Sequence, residues 1–223
     1  MIFIIILILI LFYTQRSRYS SNVKLMTAEE TDAFLKSDPD GFVAGLNKWD
    51  LFARKVASPQ EYVDKISKSG IDSHVSLHLL EQVDEVFRKN GDENIANEPW
   101  KIAMTDGSYE EGFPHTRGDI IFLTPNTLDL STLIHEKLHV HNKLYDPPDL
   151  ESMGYKYLGP RKGLYRLRSN PDVDGNIWED PETGKPMVAL YNSDRPMGLM
   201  DINIDSEHEH PYEVLSYNYT TTI

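Results

Sequence analysis

LIHEKLHVHNKL, residues 133–144, places three histidines and a glutamate within seven positions, His135 to His141, of a chain that contains no cysteine. Leu130, Leu133, Ile134, Leu138, Val140 and Leu144 surround them. That spacing predicts a buried helix from about residue 128, ended by Asp146-Pro-Pro. Buried polar groups without partners are costly, so two histidines and a glutamate inside such a helix need a reason. Residues four apart lie about 40° apart around a helix axis, so His135 and His139 project from one face, one turn apart. Two imidazoles so placed can reach one Zn²⁺ at about 2.0–2.1 Å. Glu136, rotated about 100° from His135, can stand at the ion's open side without binding it. There it can take a proton from a water whose pKa the metal lowers towards about 7. The stretch is a complete H-E-x-x-H. His141, about 240° round from His135, and Lys137, about 200° round, point away from that metal. His141 therefore reads as structural, or as a support for a ligand.

Catalytic zinc needs a third protein ligand and an open position. Without cysteine, that ligand is a histidine or a carboxylate. The extended form H-E-x-x-H-x-x-G-x-x-H is absent, because Asn142 stands at its glycine and Tyr145 at its last histidine. The downstream candidate region is EHEHPYEVLSYNY, residues 207–219. His210-Pro211 reads as a helix start, with Pro211 at the first helical position and Glu213 in the first turn. Tyr217, four residues on, shares the face of Glu213. Glu213 is the expected third ligand; Glu209, His208 and His210 are its rivals.

H-E-x-x-H on one helix with a glutamate on a later helix resembles the gluzincin branch of the zincin metallopeptidases. HEKLHV with a distant HPYE also resembles uncharacterised metallopeptidase-like proteins of large DNA viruses. The resemblance covers about half the chain and leaves residues 1–95 outside it. It implies that His135, His139 and Glu213 hold one Zn²⁺, and that Glu136 is the general base and then the proton donor to the leaving amine. It implies that Tyr217 orients a ligand histidine or stabilises the oxyanion. His115 or one of Tyr155, Tyr157, Tyr165 and Tyr191 is a further oxyanion candidate. It also implies an edge strand that binds extended substrate before the motif helix, for which residues 113–123 are well placed. Glu213 lies 74 positions after His139, more than the usual spacing, so a β-rich insert at about 146–205 is expected beside the site.

The remaining sequence sets the frame. At 223 residues the chain suits one domain, or one with a small helical addition. A net charge of −13 argues against nucleic acid, which demands a basic face. Residues 1–15 are apolar and uncharged up to Arg16. As a helix they span about 22 Å, short against a hydrocarbon core of about 30 Å. They read as an uncleaved anchor, with a cleaved signal or a core segment as alternatives. Arg16, Arg18 and Lys24 then place the body on the cytosolic side, or outside the cell if the segment is cleaved. Residues 16–26 read as a tether and 27–95 as a helical region. Within it, Thr27 to Glu30 forms a capping box, Ser58-Pro-Gln-Glu61 starts another helix, and helices are expected over 43–56 and 73–89. His74 and His78 read as surface positions. Strands follow at 100–105 and 119–124, with shorter pieces at 164–168 and 187–191. The order is that of an α+β, zincin-like fold with a catalytic region at 96–223. Residues 170–176, NPDVDGN, imitate a calcium loop, but Pro181 stands where the bidentate glutamate belongs, so a turn held by Asx bonds is expected.

The leading expectation is a membrane-tethered zinc metallopeptidase acting on a peptide or protein substrate. The alternatives are a non-catalytic zinc-binding structural or virion membrane protein with a zincin fold, and a metal-dependent hydrolase of non-peptide amides.

Overall fold

The computed structural model describes residues 22–221. Among them are seven α-helices and three small sheets, an α+β arrangement. The principal sheet has the order β1 (Val23–Leu25), β2 (Trp100–Met104), β4 (Ile120–Leu123), β3 (His115–Arg117). β1, β2 and β4 are parallel, and β3 runs antiparallel along β4.

Alternation along β2 and β4 builds two cores. Ile102, Met104, Ile121 and Leu123 face one way, into a cluster with Leu80, Val83 and Phe87 of α4 (Leu77–Lys89). Leu133, Ile134 and Leu138 of α6 (Leu130–Val140) complete that cluster. Ala103, Ile120 and Phe122 face the other way, onto Leu35 of α1 (Ala28–Ser37) and Tyr62, Val63 and Ile66 of α3 (Pro59–Ile66). A period of two therefore gives this short sheet a helical layer on each side.

The helix ends follow the capping chemistry. Thr27 and Glu30 form a reciprocal capping box, and Ser58 accepts from the Glu61 amide ahead of Pro59. Two expected helices are shorter than their apolar patterns. The one over 43–56 is α2 (Lys48–Ala53), started by an Asn47–Asp50 capping box. The one over 73–89 starts at Leu77. α5 (Glu93–Asn97) leads into β2.

Three expectations are corrected. Residues 23–25, read as tether, are the edge strand β1, paired in register with Trp100, Lys101 and Ile102. Residues 113–123 are a hairpin rather than one strand, because Gly118 turns at φ +58° between β3 and β4. Single-pass membrane anchoring is not upheld: no helix among the described residues is long and apolar enough to cross a membrane. The apolar run 1–15 lies outside the described residues, and the cellular placement inferred from it falls with the anchor.

The segment between α6 and α7 (Pro211–Thr221) carries two smaller sheets. One joins β5 (Lys156–Pro160), β6 (Asn176–Glu179) and β7 (Pro186–Met187). The other pairs β8 (Ala189–Tyr191) with β9 (Ile202–Ile204). Tyr212 of α7 packs with Leu150, Tyr155 and Met187. At the far end of α7, the Tyr219 ring lies 5.1 Å from that of Phe87. The helix is thus fastened to both the insert and the main core, with its first turn opposite α6.

Candidate metal centre

Asp129 caps α6, accepting from the Thr132 amide at 2.9 Å. The helix buries Leu133, Ile134 and Leu138 against the sheet and turns His135 and His139 towards α7. His210 caps α7, its Nδ1 accepting from the Tyr212 amide at 3.1 Å, and Pro211 takes the first helical position. These two devices bring three donors together. Glu213 Oε2 lies 3.4 Å from His135 Nε2 and 3.5 Å from His139 Nε2, and the two Nε2 atoms are 2.9 Å apart.

The circle through three such atoms has a radius of about 1.9 Å, so a point about 2.0–2.1 Å from each lies just outside their plane, where a tetrahedral zinc ion sits relative to three donors. Two imidazoles and a carboxylate are also a proper zinc donor set. Two Nε2 atoms facing each other share at most one N–H···N bond, whereas a cation satisfies both.

The electrostatics are those of a site built for positive charge. Burial opposes ionisation of Glu213, but the His139 and His135 imidazoles offset this and hold its carboxyl well below the ordinary range. Burial likewise opposes the His139 imidazolium, and the Glu213 carboxylate overcomes it, so the pKa of His139 is raised. Glu136 behaves oppositely. It is buried, and its Oε2 has no hydrogen-bond partner among the described residues. Burial, then the charges of Asp172 and Glu213, push its pKa well above the carboxylate range. His135, Glu136 and Glu213 line one cavity of about 170 Å³.

The insert supplies further walls. Asn170 Nδ2 donates to Glu213 Oε1 at 3.1 Å and to Glu209 Oε1 at 2.8 Å. Glu209 is held in turn by Arg168 and by Arg161, the latter at 3.3 Å. The chain Arg161/Arg168–Glu209–Asn170 therefore orients the Glu213 oxygen that is not part of the triangle, the kind of outer support that ligands require. Arg168 also lines the cavity. After Val140 the helix widens into a π-type turn, His141–Tyr145, a feature frequent at functional sites. That turn carries Lys143 to the Thr116 carbonyl at 3.1 Å and the Pro171 carbonyl at 2.9 Å.

The other sequence candidates fall elsewhere. His141 Nδ1 meets Glu98 Oε1 at 2.5 Å, and Lys137 reaches Asp84 at 2.5 Å beneath the Trp100 ring. Both therefore point away from the triangle, as their angles require. Glu209 serves its arginines, His210 caps α7 and bonds Asp174 at 2.9 Å, and His208 lies against the Tyr217 ring. Tyr217 is 50% exposed and is not among the residues lining the cavity. Tyr155 packs in the insert core, Tyr157 lies on Trp178, Tyr165 bonds Asp194, and Tyr191 bonds Asp50.

His115 does line the cavity, but in an unexpected role. Its Nδ1 sits 2.9 Å from the Phe113 carbonyl and must carry the proton, while burial lowers its pKa and keeps the ring neutral. Its buried Nε2, without a partner among the described residues, is therefore an acceptor and not an oxyanion donor.

The calcium-like loop holds the expected Asx bonds, Asn170 to the Asp172 amide and Asp174 to the Asn176 amide, each 2.8 Å. His74 and His78 are exposed.

No family model matches this chain, no curated protein matches its sequence, and no solved structure matches its fold.

Proposed function

We propose that this chain is a zinc-dependent peptidase. The observation that carries the reading is the convergence of His135, His139 and Glu213 on one point, with buried Glu136 lining the same cavity. The order of elements supports it: an antiparallel edge strand, then the H-E-x-x-H helix, then a glutamate on a later helix, as in zincins. A structural zinc site closes itself with four protein ligands. Among the described residues three donors converge here, an arrangement that with an open fourth position favours catalysis.

Zn²⁺ held there supplies a Lewis acid that polarises a carbonyl and eases the ionisation of water. The residues do the rest. Glu136 accepts a proton as water oxygen attacks the peptide carbonyl carbon. It then delivers that proton to the amine nitrogen as the C–N bond breaks. Arg168, paired with Glu209, is the guanidinium among the cavity-lining residues and is the group assigned to stabilise charge developing on the carbonyl oxygen.

The test is paired. Zinc content and hydrolysis of peptides and unstructured protein are compared in wild type and Glu136→Gln. The proposal expects one zinc in both and hydrolysis in the wild type alone. Zinc without hydrolysis in the wild type sinks it in favour of a structural role, and hydrolysis of non-peptide amides alone reassigns the substrate.

A further inference from the structure

In a strand that receives an extended peptide, the outer N–H and C=O groups are left free. β3 has no such free edge at its centre. Thr116 pairs opposite Ile121 but turns its backbone polar groups outward. Its N–H donates to Asp172 Oδ1 at 2.5 Å, and its hydroxyl donates to the same oxygen at 2.9 Å. Its carbonyl accepts from Lys143 Nζ at 3.1 Å, and Lys143 also bonds the Thr116 hydroxyl and the Pro171 carbonyl. A carboxylate thus stands where a substrate carbonyl pairs, and an ammonium stands where a substrate N–H pairs. Thr116 is 0% exposed, so the edge is covered as well as bonded. Residues 168–172 of the same loop also wall the cavity, whose 170 Å³ is below the roughly 300–1,000 Å³ usual for ligand pockets.

We propose that Asp172 and Lys143 are this chain's own occupant of the substrate-strand position, and that they make the site selective for short peptides and chain ends over extended chains. The inference rests on the peptidase reading and deepens it. The cap is fastened from two sides. Lys143 comes from the turn that ends the H-E-x-x-H helix, and Asp172 from the loop whose Asn170 orients Glu213. An extended chain must displace two charge-assisted contacts before it gains equivalent ones, so added length brings no net pairing. A short peptide forgoes pairing with β3 and leaves the cap in place.

The test uses the zinc-loaded full chain and two probes: a single-residue hydroxamate, and the same hydroxamate carrying four further residues on either side. The wild type is expected to bind both within about threefold. Asp172→Ala/Lys143→Ala, with zinc stoichiometry and melting temperature checked, is expected to bind the long probe at least tenfold tighter than the short one. Asp172→Ala alone, which retains the Lys143 anchor, serves if the double change unfolds the protein. Asp172→Asn keeps an acceptor for the Thr116 amide and is expected to resemble wild type. A wild type that already favours the long probe tenfold, or an uncapped variant indifferent to length, overturns the inference alone. A wild type that does not load zinc overturns the peptidase reading and this inference with it.

Discussion

Glu136 is the residue on which the chemistry and the stability of the fold conflict. Its carboxyl is buried without a partner for Oε2 among the described residues, and its pKa is raised. A carboxyl raised on folding stabilises below its unfolded pKa and loses that contribution as pH climbs towards the folded value. The metal-free Glu136→Gln protein, which cannot ionise, should therefore be more stable than wild type at pH 8. At pH 4 the two should be equal. Urea denaturation at both values checks this, and an unchanged midpoint at pH 8 counts against a raised Glu136 pKa. The same substitution should lower turnover by about 10²–10⁴-fold, the range for general acid–base groups. At Asn170, replacement by alanine frees Glu213 Oε1 and should weaken zinc binding by about 10–100-fold while leaving the far-ultraviolet spectrum intact. Competition with a chromophoric chelator measures it.

The helix α6 works on two faces, and its two functions are separable. One face offers His135 and His139; the other buries Lys137 against Asp84, Glu98 and Trp100. Breaking a buried ion pair costs about 3–5 kcal/mol, because Asp84 loses the cation that offsets its buried charge. Lys137→Met should therefore lower the denaturation midpoint steeply in metal-free and loaded protein alike, with zinc affinity per folded molecule unchanged. Equal midpoints would mean that the pair contributes nothing to the back of the helix.

This two-faced pattern is why α6 was legible from its residues. Spacing alone placed both histidines together, sent His141 and Lys137 away, and put Glu213 in a proline-started turn. The loop from Arg168 to Asp172 was not legible. Its local chemistry is Asx turns, and nothing in NPDVDGN signals that Asn170 reaches Glu213 or that Asp172 reaches Thr116 across 56 residues of chain. The surroundings of Tyr217 were not legible either. Sharing a helix face with Glu213 does not decide which side chain the partner helix covers, and here Tyr217 lies towards solvent. β1 was missed because a three-residue strand carries too short an alternation to separate it from a tether.

At the scale of the molecule, the donors are brought together by long-range packing: α6 on the sheet, α7 fastened by Tyr212 and Tyr219, and the insert folded between them. On the proposed reading metal binding and folding are therefore linked, and the linkage has a sign. Without metal, the raised His139 contributes stability below about pH 6.5 that is lost as pH rises through its folded value. The depressed Glu213 contributes stability above about pH 4.5 that is lost as pH falls through its folded value. With Glu136 acting in the same direction as His139, the contribution of these three groups to the metal-free protein is greatest near the lower of those limits and declines towards alkaline pH. Zinc competes with protons for the same nitrogens, so the stabilisation it adds should increase with pH. Melting curves with and without chelator at pH 5.5 and 8 should diverge more at pH 8. A constant gap would mean that the histidines are not the ligands.

The most direct test of the central claim is calorimetric titration of the metal-free chain with Zn²⁺, comparing wild type, His139→Ala and Glu213→Ala. The geometry predicts one ion per wild-type chain and an affinity lower by at least tenfold in each variant, with the folded structure preserved. Wild type that takes up no zinc, or a Glu213→Ala protein that binds it as tightly as wild type, contradicts the assignment of His135, His139 and Glu213 as one metal centre.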